Sequence, residues 1–221
     1  MKNYFIKTPW WLKRIYPAYR WSMPAKDKVI YLTFDDGPHA VATPFVLDEL
    51  KKHQAQATFF CIGKNVQAEP ALYRRILDEG HVTGNHTQHH LNGWKTSSKA
   101  YLEDVAEAAQ HIDSRFFRPP YGRITRFQAS QIAKVLHRPD AEVVMWDVLS
   151  ADFDESLSGE QCLQHVVMNT KPGSIIVFHD SQKALPRLQY CLPLALEFFK
   201  KNGFEMKTMQ WNAKEETKEE K

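Results

Sequence analysis

Short apolar runs alternate along this chain with longer stretches in which apolar residues recur every three or four positions. The first run, Val29-Ile30-Tyr31-Leu32-Thr33-Phe34, is β-branched, aromatic and apolar almost throughout, which is how a strand buried on both faces reads. Runs of the same kind cover 57–63, 81–85, 116–118, 142–148, 174–180 and 204–208. Helices are expected between them. One runs from Thr43 to about His53, with Thr43 as the cap and Pro44 at the first position. Others fall at about 64–68 and 70–79, the latter closed by Gly80. A helix over 97–112 places Tyr101, Leu102, Val105, Ala109 and Ile112 on one face, and further helices fall near 125–137, 158–170 and 186–201. Seven such βα units with buried-type strands predict an α/β fold whose parallel sheet closes into a distorted barrel of seven to eight units. In such barrels the chemistry sits at the carboxyl ends of the strands.

The ends of the chain stand apart from this alternation. Residues 1–28 mix Trp10, Trp11, Leu12, Ile15, Tyr16, Tyr19 and Trp21 with seven Lys or Arg residues against the single Asp27. Pro9, Pro17 and Pro24 prevent a long amphipathic helix there, so the expectation is a basic segment that packs its aromatics on the domain. Peripheral contact with an anionic membrane is the competing reading. Residues 29–210 form one domain, and 211–221 read as a charged, solvated tail.

Composition narrows the partners. A formal charge of +3 over 221 residues does not call for nucleic acid. Cys61, Cys162 and Cys191 are too few and too irregularly spaced for a disulfide framework, and read as buried reduced thiols. No stretch approaches the apolar length of a membrane span. The N-terminus shows no signal-peptide pattern, so a cytoplasmic location, with possible attachment to the inner membrane face, is expected.

Candidate chemistry gathers at the strand ends. The first strand runs out into Asp35-Asp36-Gly37-Pro38, two adjacent acids followed by a turn. Neighbouring buried carboxylates repel and lose solvation, and a bound cation is the simplest compensation. The third strand delivers His86-Thr87-Gln88-His89-His90. Four residues apart, His86 and His90 would face the same way on a helical turn and share one metal with Asp36, while His89 faces solvent. Nitrogen and oxygen ligands suit zinc, with cobalt, manganese or nickel as alternatives.

Thr-Phe-Asp-Asp-Gly-Pro at 33–38, His-Thr-x-x-His at 86–90 and Arg-Pro-Pro-Tyr-Gly at 118–122 occur in this order and spacing. Together they resemble the polysaccharide deacetylases of the NodB type, carbohydrate esterase family 4, over roughly residues 28–210. The resemblance implies the barrel of that family and a set of roles. Asp35 would be the general base and Asp36 a metal ligand. Arg118 would pair with Asp35, the Tyr121 backbone N–H would hold an oxyanion, and His179 would be the general acid, oriented by Asp152. Pro120, Tyr121, Phe153 and Val177 would line the substrate cleft, Val177 standing where a leucine is usual. The fourth motif departs from the family's Asp-x-x-Asp-Trp: Leu149 replaces the first acid and Phe153 the tryptophan, while Asp152 is kept.

The implied activity is metal-dependent removal of N-acetyl groups from an N-acetylglucosamine-containing glycan of the peptidoglycan or chitin type. Two alternatives stay open: an O-acetyl esterase of the acetylated-xylan type, and a glycan-binding relative with little catalysis.

Overall fold

In the computed structural model, which describes residues 4–24 and 27–209, the apolar runs become parallel strands and the periodic stretches become helices packed outside them. The expected tail at 211–221 lies outside the described residues. Strand β1 (Val29–Asp35) is central, flanked by β2 (Ala57–Cys61) and β7 (Ile175–His179). Strands β3 (Val82–Asn85), β4 (Phe116–Phe117) and β5 (Glu142–Val143) continue beyond β2, and β6 (Val148–Leu149) lies beyond β7. A short β8 (Glu205–Met206) pairs with the start of β1.

The two faces of β1 divide the core. Ile30, Leu32 and Phe34 are fully buried and meet α2 (Ala42–His53), α7 (Gly159–Asn169) and α8 (Leu185–Lys201) through Leu47, Leu50, Val166, Leu188 and Leu192. Phe34 stacks between Phe59 and Phe178, with ring centroids 5.1 and 5.7 Å away. Full burial of one such side chain stabilises the fold by about 1.5–3 kcal/mol. The alternate residues Tyr31, Thr33 and Asp35 point into the curl of the sheet, as period two requires. Phe60, Phe116, Val144, Ile175 and Met209 fill that interior.

The sheet curls without closing by hydrogen bonds. The expected strand at 142–148 is broken: Val144 N–H reaches the Phe117 carbonyl, whereas Asp147 N–H reaches that of Ile175. One stretch of chain thus leaves the β4 edge and joins the β7 edge, becoming β5 and β6. Residues 4–24 line the gap. Lys7 bridges Val148, Arg20 bridges Val144 and Ser22 bridges Ser174. The fully buried carboxylate of Asp147 accepts from Lys7 and Lys13, each at 2.5 Å, and from Ser174 at 2.6 Å.

Several expectations need correction here. Tyr4, Ile6, Tyr19, Trp21 and Met23 pack on the domain, but Phe5, Trp10, Trp11 and Ile15 stay exposed. The packed residues belong to the bridged stretches. Of the exposed ones, Trp10, Trp11 and Ile15 lie on or at the end of α1 (Trp10–Ile15), which buries no residue at all. Thr43 is not a cap: α2 begins one residue earlier, and the Thr43 hydroxyl is used elsewhere. The expected helix over 97–112 is α5 (Ser98–Ala109), and its buried face includes Asp104 and Ala108. The remaining helices are α3 (Gly63–Ala68), α4 (Pro70–Asp78) and α6 (Arg126–Val135). All three cysteines are buried, and none is in a disulfide among the described residues. Among the described residues no helix is long and apolar enough to cross a membrane.

Candidate active site

At the carboxyl edge of the sheet, β1 ends in Asp35 and the chain turns sharply through Asp36, whose φ is 82°. Asn65 donates to the Asp36 carbonyl at 2.7 Å, and Ile62 N–H donates to the Gly37 carbonyl at 2.9 Å. Gly37 is required by proximity, because a Cβ there would lie 2.0 Å from an oxygen of Asp180. The sequence reading missed Asp180. This buried carboxylate accepts from Gly37 N–H at 3.1 Å and from the Thr43 hydroxyl at 2.5 Å. Burial pushes it up to about 8, and the charges of Asp36 and Asp35 act in the same direction. An acid immediately after the candidate His179 at a strand end was the available signal.

His86 and His90 do converge on Asp36, though not on a helix. The segment after β3 is an irregular loop with left-handed backbone at Thr87 (φ 65°) and His90 (φ 59°). Buried Asp104 of α5 shapes it by accepting from the backbone N–H of Gln88 and of His89, at 2.9 and 3.0 Å. His89 is half-exposed, as expected, yet its ring is bonded to the same carboxylate at 2.7 Å. The Nε2 atoms of His90 and His86 lie 3.2 and 3.8 Å from Asp36 Oδ1. His86 Nδ1 bonds the Arg118 carbonyl at 2.7 Å, so Nδ1 carries the proton and Nε2 keeps its lone pair. His90 Nδ1 is tied to the Tyr121 hydroxyl at 3.1 Å.

These three residues fit a divalent cation. Their ligand atoms all lie within 4.8 Å of one another. Asp36 Oδ1 is buried with no hydrogen-bond donor, an expensive state for a carboxylate oxygen that a cation would relieve. Burial pushes the Asp36 carboxyl up, but the close approach of His90 and the charges of His179 and His86 outweigh it and hold the group below the usual range. Burial lowers His86 to about 4, which keeps it a neutral donor near pH 7.

Arg118 follows β4 and is fully buried beneath this centre. Its guanidinium donates to Asp35 at 2.6 Å, Thr33 Oγ1 at 2.8 Å and the Met145 carbonyl at 3.0 Å, and lies 3.9 Å from the Phe60 ring centroid. The pair is therefore no surface salt bridge, and removing either partner would strand a buried charge. Tyr121 sits on a single 3-10 turn with φ 60°, a left-handed conformation that costs a non-glycine residue about 1 kcal/mol or more.

On the far side of Asp35, His179 is its cross-strand neighbour on β7. Asp152 grips His179 twice, accepting from its backbone N–H at 2.8 Å and bonding Nδ1 at 2.7 Å. Burial alone would lower the imidazole, but the Asp152 charge and hydrogen bond, with Asp36 and Asp35 nearby, raise it to about 9. Phe153 is half-buried, edge-on to His179 at 5.1 Å. Pro120 and Val177 are buried, Val177 among the main core residues. Leu149, where the family pattern has an acid, is buried in that same core.

A curled parallel sheet bearing this two-carboxylate, two-histidine cluster and a carboxylate-held histidine on one rim defines a hydrolytic centre. The chain belongs to the polysaccharide deacetylase family, carbohydrate esterase family 4, whose model matches residues 22–137. The peptidoglycan-N-acetylglucosamine deacetylase of Bacillus cereus is 34% identical over 195 residues, covering 86% of this chain and 90% of that protein. The chitooligosaccharide deacetylase of Azorhizobium caulinodans is 35% identical over 158 residues, 68% of this chain and 73% of its own. The crystal structure of the Bc1960 peptidoglycan N-acetylglucosamine deacetylase superposes with a TM-score of 0.81 at 31% identity, over 91% of this chain and 95% of that one.

Proposed function

We propose that this deacetylase removes N-acetyl groups from a glycan containing N-acetylglucosamine, of the peptidoglycan or chitin type. The observation that carries this reading is the gathering of the Asp35–Arg118 and His179–Asp152 pairs, with Asp35 and His179 cross-strand neighbours, on the same rim as Asp36, His86 and His90. Asp36, His86 and His90 would hold one divalent metal, zinc being favoured by the donor set, with cobalt, manganese or nickel able to replace it. Such an ion polarises an acyl oxygen and acidifies water when bound.

The chain's own groups supply the rest. Asp35, held and aimed by the Arg118 guanidinium at 2.6 Å, takes the proton of the attacking water. The Tyr121 N–H donates to the oxyanion as the carbonyl becomes tetrahedral. His179, protonated because Asp152 holds it, gives its proton to the departing nitrogen. An amide needs that last step, since an unprotonated amine anion is a very poor leaving group.

The test is acetate release from acetylated chito-oligosaccharides, peptidoglycan and acetylated xylan, after chelation and reloading with zinc, cobalt or manganese. Release from the amide substrates is expected. Turnover of xylan acetate alone would assign an O-acetyl esterase, and glycan binding without turnover would assign a binding protein.

Residues 1–28 support a second, separate reading. The exposed Phe5, Trp10, Trp11 and Ile15 beside Arg14 favour shallow contact with an anionic bilayer, while Lys7, Arg20 and Ser22 bridge to the sheet edge.

A further inference from the structure

Trp94 is a large aromatic left 59% exposed. It sits in the β3–α5 loop, four residues beyond His90, and Tyr121 with Arg123 belongs to the β4–α6 loop. Both loops leave the carboxyl ends of their strands, so both lie on the catalytic face.

The indole is fixed in place. Its Nε1–H donates to the Ile124 carbonyl at 3.0 Å, and the Arg123 guanidinium lies 4.1 Å from the ring centroid. Gly93 N–H donates to the Arg123 carbonyl at 3.1 Å, and buried Gln128 donates to the Gly93 carbonyl at 2.9 Å. Gly93 permits this approach, since a Cβ there would come within 2.5 Å of the Arg123 carbonyl. The two loops are thus stapled together, and Trp94 presents a rigid apolar surface whose only polar atom is already used. Such a surface binds by stacking rather than by hydrogen bonding. The Arg123 guanidinium covers one face of the indole, and a pyranose ring, with a face of C–H groups and a rim of hydroxyls, matches the ring surface that stays exposed.

We propose that Trp94 and Arg123 form a sugar-binding subsite for a residue of the glycan flanking the one that is deacetylated, so that the enzyme favours chains over single sugars. This rests on the glycan reading above and deepens it. Trp94 acts by positioning the chain and touches none of the reacting groups.

The experiment compares Trp94→Ala and Trp94→Phe with the wild type on N-acetylglucosamine and its oligomers of increasing length. Wild-type kcat/KM should rise with length, and Trp94→Ala should lose about tenfold on the long oligomers, the scale of one aromatic contact. Activity on the single sugar and on an aryl acetate should stay unchanged, and Trp94→Phe should recover most of the loss. Calorimetric titration with a chito-oligosaccharide should show the same weakening whether or not the wild type turns it over. Equal losses on short and long substrates, or unaltered oligomer binding in Trp94→Ala, would overturn the subsite. A wild type that releases no acetate from any glycan would instead overturn the functional reading.

Discussion

At the scale of single residues, His179 and Asp180 are neighbours with opposite faces and different work. His179 is raised to about 9 from 6.5, so its proton stabilises the metal-free fold fully below about pH 6.5 and that contribution is lost as pH rises through about 9. Asp152→Asn removes the carboxylate that offsets burial. The His179 titration, followed by NMR, is then expected to fall below its ordinary value, and the alkaline limb of the pH–rate profile should move down with it. His179→Ala should lose about 10²–10⁴-fold on an N-acetylated sugar and far less on an aryl acetate, whose leaving group needs no proton. Equal losses on both would remove the acid role. Asp180→Ala leaves Gly37 N–H and the Thr43 hydroxyl without their acceptor, a cost of about 1–3 kcal/mol for each buried group. It should also weaken metal binding about 10–100-fold, as loss of a supporting partner commonly does, readable by competition with a chelator.

Elements explain why these residues meet. The Asp35-Asp36-Gly37-Pro38 turn is tied to α2 through Thr43 and Asp180, and to α3 through Asn65. The histidine loop is tied to α5 through Asp104. The N-terminal segment plays the same part for the broken strand pair β5 and β6. Removing residues 1–24 exposes both edges and leaves Asp147 buried without Lys7 or Lys13, so a lower melting temperature is expected by calorimetry. The double variant Trp10→Ser, Trp11→Ser should melt like the wild type but lose co-sedimentation with anionic vesicles. Retained vesicle binding would leave the exposed tryptophans without that role.

For the whole molecule, the metal centre joins β1 and β3 across the sheet, so occupancy should be linked to global stability. Adding zinc at about 100 times its Kd should stabilise the wild type by about 2.7 kcal/mol. Asp36→Ala should show no such gain in a thermal scan with and without the ion. A gain in Asp36→Ala equal to the wild type's would remove Asp36 from the ligand set.

Much of this was legible in the chain itself. Strand β1 announced itself because a strand buried on both faces is an unbroken apolar run, and the turn after it because Gly and Pro cannot continue one. Asp35, Asp36, His86, His90, Arg118 and His179, which the structure brings to one rim, could be singled out because they sit in short motifs at strand ends that resemble those of the family. Tertiary structure alone decided the rest. Nothing local marks 142–149 as one stretch shared between two sheet edges, since the break depends on which partner each half finds. Thr43 reads as a cap by residue type, yet a buried acid 137 residues away claims its hydroxyl. His86 and His90 have helical spacing, yet Asp104 holds them in a left-handed loop, because a carboxylate accepting two backbone N–H groups outweighs the spacing preference of so short a segment. Asp104 looks like an ordinary surface acid in the sequence, and Asp180 is marked only by its place beside His179 at a strand end. Only their burial against particular N–H and O–H donors, brought from distant parts of the chain, makes them supports of the site.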